Sequence, residues 1–468
     1  MRGIIAAGGY LPYRRLDRAA ISQFLGSGGG RGSRTVASYD EDTTTMGVEA
    51  GRAALRSAPA GLAPDALWFA TVDPAYLDKT NATTIHAALR LEADVALDFG
   101  GAARSAVGAL RAALGAGGCV MVVSSDIRTG QPGSADEAGG GDGAAALVVG
   151  DDGHGPVIAE YLGGASATEE FIDRWRVPGE SQSGSWEERF GETQYLPLGE
   201  DAWKRGLDAA GVGAAQVDHL VVSGLHARAV RSMVGRLGEA KGAVVDDRTA
   251  TIGNPGAAQV GLLLTDVLER AEPGQVIAVL SLADGADVLV FRTTDAIASW
   301  TPSRTVAAQA AWGEPIGYGK FLAWRGTLSV EGPRRPPPPR ISAAVSARTR
   351  EYKYAFVGSK DRSSGALHLP PARVSREGDA LDDMDATPMS EIAGTIATFT
   401  IDRIAYSPSP PIVFAVVDFD GGGRLPVELC DLDAEALKMG DRVELTFRRL
   451  FTAEGIHNYF WKARPVRS

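Results

Sequence analysis

Apolar runs alternate with Ala-rich amphipathic segments through most of the first 330 residues. Short runs rich in β-branched residues predict buried strands, and helical spacing of apolar residues predicts helices, so the alternation indicates a layered α/β core. The predicted strands are Ile4–Ala7, Ala66–Ala70, Cys119–Val123, Ala145–Val149, Leu220–Val222, Val276–Leu280 and Val288–Phe291. The predicted helices are Thr43–Arg56, Ala103–Leu114, Ala202–Ala210, Ala227–Leu237 and Ala257–Arg270.

The last part of the chain has a different pattern. Its apolar runs are short, β-branched and bounded by Gly, Pro or Asp, which is typical of a small all-β barrel. The predicted strands are Glu391–Ile404, Pro411–Asp418, Arg424–Cys430 and Arg442–Leu450, and Asp433–Lys438 is predicted as one short helix.

A proline run at 333–340 separates these two patterns. Such a run favours polyproline II and acts as a stiff spacer. A short motif also recurs in the first part, at Asp142–Ala146 and Asp284–Asp287, and hints at two similar halves. The predicted domains are therefore 1–165 and 166–330 for the two halves, 331–340 for the linker, and 341–468 for the barrel.

Charge and cysteine usage narrow the class of protein. The chain has 58 acidic and 47 basic residues and a net charge of -11, which argues against general nucleic-acid binding. Two cysteines, Cys119 and Cys430, are too few for a disulfide scaffold or a four-cysteine zinc site. Without a signal-peptide pattern or an apolar stretch of about 18 residues, we expect a cytoplasmic protein with no membrane span. The acidic run Asp40–Asp42 is predicted to cap a helix rather than bind a metal.

Five motifs in sequence order carry a family resemblance. They are Asp40–Ala50, Tyr76 with Lys79, Gly141–Ala146, Ile252–Ala258 and Pro273–Ile277. Together they resemble the thiolase superfamily, specifically its hydroxymethylglutaryl-CoA synthase branch. The resemblance implies a thiolase-like αβαβα five-layer fold of two pseudo-repeated halves, a coenzyme A thioester as substrate, and a homodimer or dimer of dimers.

The C-terminal block resembles the OB-fold proteins of the DUF35 family, which accompany such thiolases. Gly394–Ile396 and Leu437–Val443 carry this likeness. In that family a zinc ribbon precedes the barrel, but here Asp361 and Ser364 stand where a Cys-x-x-Cys pair would. The ribbon is therefore degenerate, and we expect no zinc.

The resemblance also implies a catalytic cysteine at the N-terminus of a buried helix, where the helix dipole lowers the thiol pKa. The corresponding stretch is Asp98–Ser105, and the cysteine position falls within Gly101–Ala103, which carries no nucleophile. Cys119 lies inside an apolar run and is predicted to be a small core residue.

The other family positions are partly retained. A histidine that hydrogen-bonds the thioester oxygen normally opens a His-x-x-Asn turn, which places Ser223 at the histidine position and His226 at the asparagine position. In an alternative register His226 is the family histidine itself. If the segment is helical, the spacing keeps Ser223 and His226 on neighbouring turns. Asn254 is intact, and its amide is predicted to help bind a carbonyl oxygen; the alternative is a turn built by Gly253 and Pro255 around it.

Candidate acid–base and binding residues lie earlier in the chain. Asp73 is the closest carboxylate to the family's glutamate, and the phenol of Tyr76 could protonate an alkoxide. Arg104 and Ser105 are candidates for substrate binding, with Arg104 pairing either with a substrate carboxylate or with Asp98.

These residues lead to three functional hypotheses. The first is an acyl-CoA-using carbon–carbon bond enzyme, of aldolase or condensing type, that forms no acyl-enzyme. The second is a synthase-like acyltransferase with Ser223 or Ser105 as a substitute nucleophile. The third is a non-catalytic scaffold for a partner thiolase. The sequence leaves the pathway open between lipid breakdown and natural-product assembly.

Overall fold

The computed structural model describes residues 1–467, which form two compact units. The first unit comprises Met1–Ser38, Asp42–Thr83 and Glu92–Leu328. The second comprises Tyr39–Glu41, Thr84–Leu91 and the residues from Ser329 onward. The boundaries predicted at residues 165, 330 and 340 stay predictions.

Helices and strands alternate along most of the chain. The helices are α1 (Ala19–Leu25), α2 (Thr43–Arg56), α3 (Ala82–Ala88), α4 (Arg104–Gly115), α5 (Ala135–Gly139), α6 (Glu188–Ala210), α7 (Ala227–Val234), α8 (Ala258–Leu268), α9 (Val306–Ala311), α10 (Tyr318–Trp324), α11 (Ala343–Arg348) and α12 (Arg350–Ala355). Strands β1 to β14 are Arg2–Tyr10, Arg14–Asp17, Ser33–Val36, Ala66–Thr71, Val95–Gly100, Val120–Ile127, Asp142–Asp151, Ala159–Ala167, Arg174–Trp175, Gly184–Ser185, His219–Gly224, Val276–Leu282, Ala286–Thr293 and Glu314–Pro315. Strands β15 to β22 are Val357–Asp361, Leu367–His368, Met384–Pro388, Gly394–Asp402, Ile412–Phe419, Arg424–Leu429, Arg442–Ala453 and Ile456–Pro465.

A nine-stranded mixed sheet forms the centre of the first unit, in the order β11-β12-β13-β8-β1-β7-β6-β4-β5. Its two halves repeat one pairing scheme. In the first half β1 pairs antiparallel with β7, β7 antiparallel with β6, and β6 parallel with β4. In the second half β8, β13, β12 and β11 pair in the same sequence of directions. This matches the expectation of two similar halves and the thiolase-like fold class.

Two helices of the first unit are buried almost all round. Helix α2 is covered except for its last turn, and every residue of α8 is buried. A helix that is buried on all sides lies between layers rather than on the surface. The prediction for the acidic run is confirmed at Asp42, which is the N-cap of α2 and accepts a hydrogen bond from Thr45 N at 2.9 Å.

Several elements of the first unit differ from the sequence prediction, among them α6 and β8. Residues Ala202–Ala210 are only the end of α6, which begins at Glu188. Pro197 and the glycines at 191 and 199 interrupt the apolar pattern inside this helix. The pattern therefore did not predict the first half of the helix. Strand β8 was missed because most of its side chains are only half buried.

The second unit contains a closed five-stranded barrel in the order β18-β19-β20-β22-β21, preceded by the small sheet β16-β15-β17. The barrel confirms the predicted all-β domain, although the sequence reading missed β22. The predicted helix at Asp433–Lys438 was wrong, because these residues form turns. Leu437, within these turns, is buried.

Buried ion pairs lie within the second unit. The Nζ atom of Lys462 is 2.9 Å from the carboxylate of Asp40 and hydrogen-bonds Glu428 at 2.5 Å. Arg448 pairs with Glu41 and, at 2.6 Å, with Asp431. Buried charges need such partners, so Asp40 and Glu41 serve as ion-pair partners and only Asp42 of the acidic run caps the helix.

No helix in residues 1–467 combines the length and hydrophobicity that a membrane span requires.

Candidate functional site

Two neighbouring cavities open in the first unit at the ends of several strands and helices. The first has a volume of about 490 Å³ and the second about 450 Å³. Both are lined by Asp173, Arg174 and Leu225, so the two cavities share one wall. Volumes of this size suit small-molecule ligands.

His226 lies in the wall of the first cavity, as the N-cap of α7. Its Nδ1 atom accepts a hydrogen bond from Ala229 N at 3.0 Å, so the neutral ring carries its proton on Nε2. The side chain is only 8% exposed, and Nε2 has no hydrogen-bond partner among residues 1–467. A buried N–H without a partner is a candidate donor to a ligand oxygen.

Asn254 also lines the first cavity, and its amide is fixed on both sides. Its Oδ1 atom accepts a hydrogen bond from Gly256 N at 2.9 Å, and its Nδ2 atom donates to Gly224 O at 3.0 Å. An amide nitrogen carries two hydrogens, so one N–H of Asn254 is available to a ligand. The expected turn is also present, and the site role and the turn role are compatible.

Ser223 lines the same cavity but lies inside strand β11, near its end. The segment from Ser223 to His226 is therefore not helical, and the two residues do not occupy neighbouring turns. Since Nδ1 of His226 accepts from Ala229 N and Nε2 carries the ring proton, neither nitrogen is free to act as a base toward Ser223, and Nε2 makes no hydrogen bond to it.

Asp173 stands between the two cavities, close to His226. Its Oδ1 atom lies 3.9 Å from the Nε2 atom of His226, and Tyr195 hydrogen-bonds its carboxyl. Burial raises the pKa of Asp173, while His226 and Arg174 oppose the shift. A carboxyl with a raised pKa at a cavity wall is a candidate acid–base group.

Gly191 of α6 makes room for this pair. A Cβ atom at this position would lie 2.6 Å from Cδ2 and 2.7 Å from Nε2 of His226, and closer still to Asp173. No side chain larger than hydrogen fits there without moving the histidine or the aspartate. Because glycine has no Cβ atom, helix α6 can pack closely against His226 and Asp173.

Asp73 lines the second cavity, together with the Gly101–Ala103 stretch. Burial raises the pKa of Asp73, and the guanidinium of Arg176, 3.9 Å from its carboxylate, acts in the opposite direction. Asp73 therefore lines the same cavity as the stretch where the family resemblance places a cysteine. It puts His226 and Asn254 in the adjoining cavity.

Asp126 holds together the loops that carry these residues. This fully buried carboxylate accepts hydrogen bonds from Val72 N at 2.8 Å and from Ala257 N at 2.7 Å. One bond fixes the backbone beside Asp73 and the other fixes the loop after Asn254. Burial raises the pKa of Asp126 to about 6.

Three predicted site residues line neither cavity. Asn81 brackets Tyr76, accepting from its backbone N–H and donating to its carbonyl. Arg104 pairs with Asp287 at 2.8 Å rather than with Asp98. Ser105 donates to Gly100 O at 2.9 Å.

Neither cysteine is placed as a nucleophile. Cys119 is fully buried just before β6, and burial raises the pKa of its thiol to about 11. Burial likewise raises the pKa of Cys430, in the second unit. A thiol must ionise to attack a thioester, so raised values oppose that chemistry.

The barrel of the second unit matches a known protein family. Residues 386–448 match the family described as "ChsH2, C-terminal OB-fold domain". This match confirms the predicted OB-fold and its DUF35-type resemblance.

The chain has relatives to which it is similar over most of their length. Hydroxymethylglutaryl-CoA synthase of Pyrococcus furiosus is 31% identical over 302 residues, which are 62% of this chain and 85% of the relative. The chain belongs to the hydroxymethylglutaryl-CoA synthase family. The enzyme of the same name from Aeropyrum pernix is 30% identical over 351 residues, covering 70% of this chain and 95% of that protein.

Solved structures share the fold of this hydroxymethylglutaryl-CoA synthase family member. A crystal structure of HMG-CoA synthase complexed with CoA aligns with a TM-score of 0.58 and 17% identity, over 69% of this chain and 90% of that one. The 3-oxoacyl-[acyl-carrier-protein] synthase III of Aquifex aeolicus aligns with a TM-score of 0.53 and 20% identity, over 62% of this chain and 100% of that one. These likenesses confirm the thiolase-like fold.

The ribbon that precedes the OB-fold does not offer a zinc site. Asp361 is 1% exposed, and its carboxylate accepts hydrogen bonds from Ser363 N and Ser363 Oγ at 2.8 Å and from Ser364 Oγ at 2.6 Å. These donors, with Ser375, hold the pKa of Asp361 well below its usual range. Within residues 1–467, no group of three or more His, Cys, Asp or Glu side chains is arranged to hold a metal ion. One carboxylate among hydroxyls does not fit zinc, which takes four N, S or O ligands.

The sequence analysis did not identify three residues that the structure places at or near this site. Asp173 ends an acidic, loop-like stretch that carries no motif, and Gly191 lies in the half of α6 that the pattern did not reveal. Asp126 closes the apolar run that forms β6. A polar residue near the end of a buried strand was the one available signal, because strand ends gather functional side chains.

Proposed function

We propose that this protein is an acyl-CoA-dependent carbon–carbon bond enzyme that works without an acyl-enzyme, by aldol cleavage or the reverse condensation. The observation that carries the proposal is the Nε2–H group of His226, buried without a partner among the described residues, in the wall of the cavity that the fixed amide of Asn254 also lines. Family membership supports an acyl-CoA substrate, because the similar proteins are named hydroxymethylglutaryl-CoA synthase.

The two donors suit an oxyanion. In aldol cleavage the thioester carbonyl becomes an enolate, and its oxygen gains negative charge. Preorganised N–H groups in a cavity stabilise such charge, and removing one donor of this kind costs about a hundred- to a thousandfold in rate. His226 Nε2–H and the remaining N–H of Asn254 supply two donors from two different loops.

The reaction then needs one base. In the cleavage direction Asp73 accepts the proton of the β-hydroxyl group, and the bond between Cα and Cβ breaks. Its electron pair forms the enolate of the shortened acyl-CoA, while Cβ leaves as a ketone or aldehyde. The proton returns from Asp73 to Cα, so the carboxylate is regenerated and no other reactant is consumed.

The absence of a placed nucleophile favours this route over acyl transfer. Gly101–Ala103 offer none, and the thiol of Cys119 is buried. Ser223 lacks an engaged base, since the Nε2 atom of His226 makes no hydrogen bond to it. Chemistry without a covalent adduct requires only the base and the oxyanion donors that the two cavities supply.

The test is product analysis with purified protein. A panel of β-hydroxyacyl-CoA thioesters is incubated with the enzyme, and both products, the shortened acyl-CoA and the carbonyl compound, are quantified. Equal amounts of the two, formed with turnover, are expected. Transfer of the acyl group to an added acceptor, with no carbonyl compound released, would instead support the acyltransferase hypothesis.

We also propose that the protein is a homodimer formed through strand β5. This strand is the edge of the nine-stranded sheet, and its Val95 and Leu97 are exposed. An exposed edge with apolar side chains is a template for pairing with another strand. Light scattering is expected to give twice the mass of one chain, and Leu97→Lys is expected to give the mass of one.

A further inference from the structure

Three large apolar side chains are exposed around the mouth of the second cavity. Leu77 is 77% exposed, Val177 54% and Trp175 44%, and all three line that cavity. We call them the apolar rim. Leu77 comes from the loop after β4, while Trp175 ends β9 and Val177 follows it.

Single exposed apolar residues are ordinary, but a group of them at one cavity mouth marks a binding surface. Pro74 and Pro178 line the cavity beside the rim and extend its apolar character. The small residues Gly101, Ala102 and Ala103 line the same cavity. Apolar and small residues thus make up a share of its lining together with the rim.

The three arginines that line the second cavity already face carboxylates. Arg176 faces Asp73 at 3.9 Å, and Asp136 pairs with Arg174 and lies 3.7 Å from Arg128. An anionic acyl group would have to displace these carboxylates from the arginines. An uncharged, apolar group fits the second cavity without breaking an ion pair.

We propose that the second cavity and the apolar rim bind an apolar acyl group longer than the acetoacetyl group. The thioester end of the substrate lies toward His226 and Asn254, and the distal carbons cross Leu77 and Val177. This inference rests on the proposed function, since it assigns the substrate class of the same site. The rim is the surface that selects chain length.

The test measures binding of butanoyl-, octanoyl- and dodecanoyl-CoA to the full-length protein by titration calorimetry. Each buried methylene strengthens binding, so octanoyl-CoA is expected to bind at least about tenfold more tightly than butanoyl-CoA. The double variant Leu77→Ser/Val177→Ser is expected to reduce that ratio to about threefold or less, with butanoyl-CoA binding unchanged. Leu77→Met keeps an apolar side chain and is expected to retain the ratio.

Leu328→Ser is the matched control. Its side chain is 43% exposed and lines neither cavity, so the chain-length ratio is expected to persist. Serine at exposed positions should leave the melting temperature unchanged, which checks that each variant folds.

The outcomes separate this inference from the proposed function. Equal affinity for all three thioesters would overturn the apolar rim and leave the acyl-CoA site intact. Failure of every thioester to bind would remove the proposed function as well. A change from dimer to monomer in the Leu77→Ser/Val177→Ser variant would show that a second copy covers the rim, which also contradicts the inference.

Discussion

Two regions of this protein stand where family resemblance places cysteines, and the structure treats them differently. In the first unit Gly101–Ala103 border an open cavity, and the carboxyls of Asp73 and Asp173 have raised pKa values. In the second unit Asp361 is enclosed by serine hydrogen-bond donors, and its pKa is lowered.

The difference shows how to distinguish a working site from a structural replacement. Desolvation without enough donors raises a carboxyl pKa and leaves the group ready to exchange a proton. A carboxylate that receives several hydrogen bonds is stabilised in its charged form and holds its neighbours in place. We therefore assign chemistry to the first region and folding stability to the second.

The largest expected effect sharpens the assignment of Asp73. Asp73→Asn is expected to lower kcat/KM by about a hundred- to ten-thousandfold, because the base is lost. A base acts when deprotonated, so wild-type activity should rise with pH, and the raised pKa places this rise above the ordinary value of 3.8. A pH–rate profile checks both points, with Asp78→Asn as an exposed control from the same loop. If the pH–rate profile of Asp73→Asn still shows the loss of activity at low pH, Asp73 is not the base.

The next effect concerns the oxyanion donors. Asn254→Ala is expected to lower kcat/KM by about a hundred- to a thousandfold, mainly through kcat, because its N–H acts on the developing charge. Steady-state kinetics measure this loss. His219→Gln is the histidine control, since His219 pairs with Gln275 at 2.9 Å outside both cavities. Unchanged kinetics for Asn254→Ala would mean that its amide only builds the turn.

A smaller effect tests the packing of the site. Alanine is favoured over glycine inside a helix by up to about 1 kcal/mol, yet Gly191→Ala would press its Cβ atom against His226 and Asp173. We expect activity to fall about tenfold or more through misplacement of His226. Gly108→Ala in α4 is the control, because nothing lies within 4 Å of its added Cβ atom. Equal activity of both variants would contradict the claim that Gly191 sets the His226–Asp173 geometry.

The smallest effect concerns the second unit. Asp361→Ala removes the acceptor of the serine hydrogen bonds, so the melting temperature of this unit is expected to fall by about 5 °C or more. Calorimetry measures the shift, with the exposed Asp379→Ala as its control, and a chelator is expected to change nothing. A lower melting temperature on chelation would show that a metal, and not Asp361, holds the ribbon.

The sequence correctly predicted the strands and helices that have an uninterrupted apolar or amphipathic pattern. Strands such as β6 and helices such as α2 are continuous apolar or amphipathic runs, and their positions were confirmed. Helix α6 was half missed because Gly191 and Pro197 mask its pattern. Asn254 and His226 were identified as candidates by motif and spacing, and the structure places both in one cavity.

Asp173 and Asp126 could not be identified in the same way. Their roles depend on which loops the fold brings together, and no local spacing encodes that. Asp173 meets His226 from a segment more than fifty residues away, and Asp126 joins loops near residues 72 and 257. Asp361 was noted only as a substitute for a cysteine, since the convergence of Ser364 and Ser375 on its carboxylate appears in three dimensions.

The central claim is that the first region performs acyl-CoA chemistry without a covalent intermediate. The direct test is intact-protein mass spectrometry on samples quenched with acid during turnover of a β-hydroxyacyl-CoA. The account predicts product formation with protein of unmodified mass at every time point. An acyl adduct that appears and decays at the rate of turnover, mapped to Ser223, Ser105 or a cysteine, would contradict it.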